Sequence, residues 1–360
     1  MNDLGITIRS LDHKAMAEAR ERLDRLAKPP GSLGVLEEIA IRLSGITGKV
    51  PPVVRNKAII IMAGDHGIAD EGVSSYPQSL TRLMVHAILR GGAAVNVLAR
   101  QAGARTLVVD MGVKGRIEHP EILDRKVREG TANMLQGPAM TEEEAWSALR
   151  AGYDVACSAV DQGTELIGTG EMGIGNTTAS SAILSVLSGF PPELVVGRGT
   201  GCDDRRLQHK REIVSRVVEM HRPDPRNPLE VLAKVGGLEI AGLAGCILGA
   251  ASRRVPVVID GFISSAAALV ASRFDPQVKD YIFASHLSEE TGHDIMLNML
   301  GVGPMLHMRM RLGEGTGAAL AFGLIDAGVR ILQEMHTLDE VMDLDRIQPP
   351  NPVCRLRKLT

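Results

Sequence analysis

The 360-residue sequence is poor in aromatic side chains, with one Trp, three Tyr and five Phe. So few flat rings argue against a base-stacking platform for single-stranded nucleic acid. They also mean that a planar ligand must be held mainly by aliphatic walls. An excess of one charge is lacking too, because 40 Lys and Arg against 43 Asp and Glu leave a net charge of −3. That balance gives no footprint for nucleic acid or an anionic membrane. Cysteine is sparse, and Cys157, Cys202, Cys246 and Cys354 show no CxxC spacing. They read as free thiols of a reducing compartment, not as disulfides or zinc ligands. The polar start MNDLGITIRSLDHK lacks the apolar core of a signal peptide. The most lipid-like run, Val235 to Ala251, is short for a bilayer and carries Glu239. It reads as a buried helix, and the protein is expected in the cytoplasm with no membrane span.

What the sequence does contain is alternation. Two amphipathic helices open it, one from an N-cap at Ser10 to Leu26, before Pro29-Pro30, and one from about Ser32 to Ile46, ending near Gly48. Short β-branched runs then alternate with helical patterns. They are Ala58–Met62, Thr106–Asp110, Glu165–Gly168, Val255–Ile259 and Tyr281–Ser285. Thr141 and Glu144 form a capping box for a helix through Val160. Such alternation predicts an α/β fold with a mostly parallel sheet flanked by helices. The expected organisation is N-terminal helices over 1–50, an α/β catalytic domain over 51–327, and a C-terminal segment over 328–360. The two terminal segments are expected to share a small helical domain.

Four glycine-rich segments follow or end apolar runs: Gly170 to Thr178, Gly197 to Gly201, Asp260 to Ser265 and Gly313 to Gly317. Glycine admits close backbone approach, and the helix starts that follow offer free N–H groups to a phosphate. Neither a P-loop nor a GxGxxG after the first strand is present; that strand ends in Ala63-Gly-Asp-His-Gly67. Glu171 and Glu314 sit among these glycines, where an acid would repel a pyrophosphate. A carboxylate partly shielded from water can instead take a proton. A solvated loop-tip acid or a capping acid fits the spacing equally well.

Other polar groups remain open between structural and functional roles. Lys210 and Arg211 lie on the polar stretch Asp203 to Arg211, which reads as a solvated helix face or as a phosphate partner near a glycine loop. His286, Glu290 and His293 have helical spacing, but Gly292 interrupts it and the pattern is not HExxH, so no metal site is expected. Asp65-His66 ends the first strand, and Gln78 lies in a loop where it could bond a heteroaromatic nitrogen or cap a turn.

Seven segments together are highly specific. They begin at Lys28-Pro-Pro-Gly-Ser-Leu-Gly34, Ala63-Gly-Asp-His-Gly-Ile68, Glu71-Gly-Val-Ser-Ser-Tyr-Pro-Gln78 and Glu171-Met-Gly-Ile-Gly-Asn-Thr-Thr178. Gly197-Arg-Gly-Thr-Gly201, Ser285-His-Leu-Ser-Glu-Glu290 and Gly313-Glu-Gly-Thr-Gly-Ala-Ala319 complete the set. In this order, over Lys28 to Ala327, the chain resembles nicotinate-nucleotide–dimethylbenzimidazole phosphoribosyltransferases. The resemblance implies a Rossmann-like sheet with a small helical domain, a homodimer with sites near the interface, and no cofactor or metal. It implies transfer of phosphoribose from nicotinate mononucleotide to 5,6-dimethylbenzimidazole with inversion, giving α-ribazole 5′-phosphate, nicotinate and a proton. Glu314 falls on the general base and Glu171 on a second active-site acid. Ser75, Tyr76 and Gln78 fall on the loop lining the benzimidazole pocket, and Lys210 on an active-site lysine. Gly173, Gly175, Asn176, Thr177, Gly199, Gly201, Gly313, Gly315 and Thr316 are then the expected substrate-binding loops, with amides around 173–176, 199–201 and 315–317 holding the 5′-phosphate.

Two other classes bear on the same glycines and acids. An NAD-dependent oxidoreductase would bind NADH tightly. A non-catalytic binder of benzimidazoles or corrinoid precursors would have no need of two carboxylates to hold an uncharged ring.

Overall fold

The computed structural model of the chain describes residues 5–199 and 201–344. Cys354 and the rest of the expected C-terminal segment beyond 344 lie outside the described residues. In chain order the elements begin with α1 (His13–Arg25), α2 (Val35–Thr47), β1 (Lys57–Gly64), α3 (Leu80–Leu89), α4 (Ala94–Gln101) and β2 (Ala104–Gly112). There follow β3 (Ile122–Asp124), α5 (Glu142–Asp161), β4 (Leu166–Met172), α6 (Asn176–Ser188), α7 (Pro192–Val195) and α8 (Asp204–His221). Next come α9 (Pro228–Val235), α10 (Leu238–Ser252), β5 (Val257–Ile259), α11 (Phe262–Phe274) and β6 (Ile282–His286). The described chain ends with α12 (His293–Leu300), β7 (Pro304–Leu306), α13 (Thr316–Glu334) and α14 (Leu338–Leu344).

The strands form one sheet in the order β3-β2-β1-β4-β5-β6-β7. Every neighbouring pair is parallel. A parallel sheet covered on both faces needs strands that are apolar throughout, and all eight residues of β1 are buried. The chain winds outward from β1 to β3, then returns to β4 beside β1 and winds the other way. That reversal opens a crevice beyond the carboxyl ends of β1 and β4, where ligands of such sheets bind. In register, Ile61 pairs with Gly170 and Met62 with Glu171. The glycine loops therefore leave the sheet at one edge, on the crevice side. β3 and β7, at three residues each, are additional to the strand runs expected from sequence.

Local chemistry explains the starts of α5 and α1. Thr141 Oγ1 accepts from the Glu144 amide at 3.1 Å while Glu144 Oε2 accepts from the Thr141 amide at 2.9 Å, completing the expected capping box of α5. The first helix starts later than expected. Asp12, not Ser10, is its N-cap, because the Asp12 carboxylate accepts from the Ala15 amide at 3.0 Å. The run Val235 to Ala251 is indeed interior: α10 is buried along nearly its whole length. No helix among the described residues is long and apolar enough to cross a membrane.

Ala19, Leu23 and Leu26 of the N-terminal helix pack with Ala40 and Leu332 as a cluster apart from the main core. Leu332, which brings α13 into this cluster, is the contact of the first two helices with the late part of the described chain there. A boundary at 327, however, falls inside α13, which runs unbroken from the site to Glu334.

Candidate active site

The site is a cavity of about 740 Å³ at the crevice. Its floor is built from strand ends, each contributing one polar side chain. β4 delivers Glu171, the residue after β5 is Asp260, β6 ends in His286, and the loop from β7 to α13 carries Glu314.

Glu171 is buried, and burial pushes its carboxyl up to about 8. The neighbouring charges of Asp260 and Glu239 add to the rise, while hydrogen bonds from Asn176 and the Glu314 amide oppose it. Asn176 Nδ2 donates to Glu171 Oε2, and the amide of Glu314 donates to Oε1 at 3.4 Å. The balance leaves the Glu171 carboxyl well above the ordinary carboxylate range.

Glu314 is held in the left-handed region at φ 66°, between Gly313 at 86° and Gly315 at 98°. A side-chain-bearing residue there costs roughly 1–2 kcal/mol. Such strain is characteristic of groups whose direction matters. The carboxyl is buried and its Oε2 has no hydrogen-bond partner. Burial raises its pKa; the Val95 amide, in the first turn of α4, lowers it, and the Asp260 charge raises it. The result is a buried acid in the cavity wall with one unpartnered oxygen, able to take a proton.

Asp260 corrects one expectation about the phosphate. Its Oδ2 accepts from the Gly315 amide at 3.1 Å, and its Oδ1 from Gly317 at 2.6 Å and Ala318 at 3.2 Å. The Thr316 amide turns back to the Gly313 carbonyl at 3.1 Å. Amides around 315–317 therefore already hold a carboxylate at the start of α13, which is the anion that a helix N-terminus favours. They are not a phosphate cradle. The signal was in the sequence: an acid closing the apolar run Val255–Ile259 just before a glycine.

The start of α6 is different. Gly175, at φ 99°, precedes it and no side chain caps it. Lys210 reaches this point from α8. Its ammonium donates to Thr177 Oγ1 at 2.9 Å and to the Gly197 carbonyl at 3.3 Å. It is 1% exposed, so the polar stretch that carries it is not simply a solvated face. Burial lowers the Lys210 pKa, against the attraction of Glu290. Glu290, raised by burial and lowered by Lys210 and the Gly199 amide, lines the same end of the cavity.

The opposite end is aliphatic, with Leu80, Met84, Leu98, Met172, Met310 and Leu312 in its wall. Tyr76 contributes the expected contact from its loop. Ser75 and Gln78 do not face the cavity. Ser75 Oγ accepts from Arg206, and Gln78 Nε2 donates to the His66 carbonyl at 2.6 Å. Gly173, Asn176, Thr177, Gly199, Gly313 and Thr316 line the wall; Gly175, Gly201, Lys210 and Gly315 are not in it. Arg309 and Arg311 at the rim had no signal in the sequence reading.

His286 and His293 lie with ring centroids 6.2 Å apart, but His293 is turned to other partners. His293 Nδ1 accepts from the Ser288 amide at 2.8 Å and its Nε2 lies 2.9 Å from Ser265 Oγ, a core histidine that burial pulls down to about 3. No group of three metal-binding side chains occurs among the described residues. His66 behaves otherwise: burial lowers its pKa, but Glu239, at 2.6 Å, and Asp65 raise it overall. This buried pair lies behind the Gly173 loop, joining residues 173 positions apart, which no local pattern shows.

A family model described as phosphoribosyltransferase matches residues 8–342. Nicotinate-nucleotide–dimethylbenzimidazole phosphoribosyltransferase of Geobacter sulfurreducens is 54% identical over 92% of this chain and 94% of its own. The protein of the same name from Chloroflexus aggregans is 52% identical over 92% of this chain and 94% of its own. The crystal structure of CobT from Thermus thermophilus superposes with a TM-score of 0.88 at 48% identity, covering 91% of this chain and 98% of that one. The chain belongs to the nicotinate-nucleotide–dimethylbenzimidazole phosphoribosyltransferase family.

Proposed function

We propose that the protein transfers the 5-phosphoribosyl group of nicotinate mononucleotide to 5,6-dimethylbenzimidazole with inversion, releasing nicotinate and a proton. The observation that carries the roles is the pair of buried carboxyls, Glu171 at the end of β4 and Glu314 on the loop before α13, beside an aliphatic pocket.

Dimethylbenzimidazole lies against Leu80, Met84 and Leu98. The lone pair of one ring nitrogen forms the bond to the anomeric carbon. The second nitrogen loses its proton to Glu314, whose unpartnered oxygen accepts it. The bond from the anomeric carbon to the pyridinium nitrogen breaks, and its electron pair neutralises the departing nicotinate. Glu171, its ionised form favoured once the donor's pyridinium is beside it, stabilises positive charge on the ribose in the transition state. The donor phosphate sits at the start of α6 with Lys210 behind Thr177. The leaving group carries its own positive charge, so no pyrophosphate needs a metal counter-ion.

A second copy of the chain completes the surface beside this cavity. Leu83, Val97, Met308 and Leu312 are exposed on the elements that build its aliphatic end, and their burial in a homodimer would follow the hydrophobic effect. Light scattering should give twice the chain mass.

The reaction itself is tested by nicotinate release from nicotinate mononucleotide with and without dimethylbenzimidazole. Release should depend on the base, and the product should be the α anomer by NMR. Base-independent hydrolysis, or no release at all, overturns the reading.

A further inference from the structure

The polar face of α8 joins two parts of the site that the chemistry treats separately. Arg206, His209 and Lys210 are spaced i, i+3 and i+4, so they lie on one side of the helix. Lys210 reaches the start of α6, at Thr177 and Gly197. Arg206 reaches the opposite loop, donating to Ser75 Oγ at 2.8 Å. The His209 Nε2 lies 2.7 Å from the Glu71 carbonyl. A carbonyl can only accept, so Nε2 carries the proton.

The loop held in this way is the one that brings Tyr76 to the cavity wall. Its ends are fixed by other bonds: Asn133 Nδ2 donates to Glu71 Oε1 at 2.6 Å, and Gln78 Nε2 to the His66 carbonyl at 2.6 Å. Between these anchors, Ser75 and Tyr76 are exposed. Arg206 holds that middle part from a rigid element, one helical turn, about 6 Å, from Lys210.

We propose that α8 couples the two substrate subsites, with Arg206 and His209 as positioning residues that hold the Tyr76 loop over the acceptor pocket in register with Lys210 at the phosphate end. This rests on the phosphoribosyl-transfer reading above. An anion arriving beside the buried Lys210 ammonium draws that face of α8 toward the cavity. A helix moves as one body, so Arg206 and His209 carry the loop with it. Acceptor binding then tightens once the donor is in place, and by linkage the reverse also holds.

Initial rates with nicotinate mononucleotide and dimethylbenzimidazole test this. Arg206→Ala and Ser75→Ala should each raise KM for the base about five- to tenfold, the worth of one such hydrogen bond. Both should leave kcat within about twofold, and the donor KM at saturating base should rise by the same factor, because the coupling is reciprocal. The double variant should add nothing further, and Arg206→Lys should recover part of the loss. A fall in kcat, or a rise in the base KM alone, would overturn the coupling. Base binding followed by fluorescence, with and without inorganic phosphate, reads it independently of turnover. Phosphate should tighten base binding in the wild type and not in Arg206→Ala; equal effects in both refute the coupling. A wild type that shows this coupling but no transfer would refute the reaction instead.

Discussion

The backbone amide of Glu314 donates to the side chain of Glu171 across 3.4 Å, so the two acids of the site are one mechanical unit. Gly313 is what permits the approach. Its φ is 86°, and a Cβ there would lie 2.3 Å from Glu171 Oε1.

Gly313→Ala should therefore harm both stability and turnover. The left-handed backbone alone costs roughly 1–2 kcal/mol for a residue with a Cβ. The clash must also push Glu171 or the Glu314 loop aside, and a displacement of about 1 Å in such a site can cost ~100-fold in rate. Denaturant titration alongside kcat checks both. A variant of wild-type stability and rate would show that the loop does not need its observed backbone.

The burial of Glu171 gives a pH dependence of definite sign. Its folded pKa, about 8, is above its ordinary value of 4.5. Such a group contributes its full stabilisation below the unfolded value and loses it as pH rises through the folded one. Wild-type Tm should therefore fall more steeply than that of Glu171→Gln between about pH 5 and pH 9. In the same window the pyridinium of the donor favours the ionised form, so donor binding should release a proton. Calorimetry in buffers of different ionisation heat detects that proton. Identical Tm profiles and no buffer dependence would mean that Glu171 is already ionised before the donor binds.

Much of this arrangement was legible because parallel α/β folds put their ligands where glycine loops leave the strands. Glu171 and Glu314 stood out as acids set between glycines, and both line the cavity. What local pattern does not contain is the partner across the fold. Asp260 stood at the head of a noted glycine segment, yet its grip on the start of α13 depends on residues some 55 positions later. For the same reason the amides at 315–317 read as a phosphate cradle when they were already occupied. Lys210 looked like part of a solvated run, since periodicity does not reveal that a neighbouring loop covers one face of α8. β3 and β7 are too short to show an alternation of their own.

Asp260→Asn tests whether the start of α13 needs an anion. The carboxylate receives three amides on two oxygens, and an asparagine offers one oxygen and an NH2 that faces a donor. The loss should be about 2 kcal/mol, typical of a hydrogen bond to a charged acceptor. Because Gly315 follows Glu314 directly, kcat should fall with stability. Chemical denaturation and steady-state rates measured on one preparation compare the two. Unchanged stability would indicate that Asp260 is protonated and contributes no charge there.

Glu314→Gln separates binding from proton transfer. Glutamine keeps the size of the side chain and an oxygen that can accept from the Val95 amide, so the loop and the aliphatic pocket should persist. It cannot take the proton that the base must lose, and general-base removal typically costs ~10²–10⁴ in rate. Dimethylbenzimidazole should therefore bind with near-normal affinity while kcat falls by that amount. The deficit should also shrink as pH approaches the range where the free base ionises, because solvent then removes the proton that Glu314 otherwise accepts. A parallel fall in affinity and rate would instead make Glu314 a binding residue. Near-normal turnover would move the role of base to another group, with Asp260 and Glu171 the carboxyls that lie closest to hand.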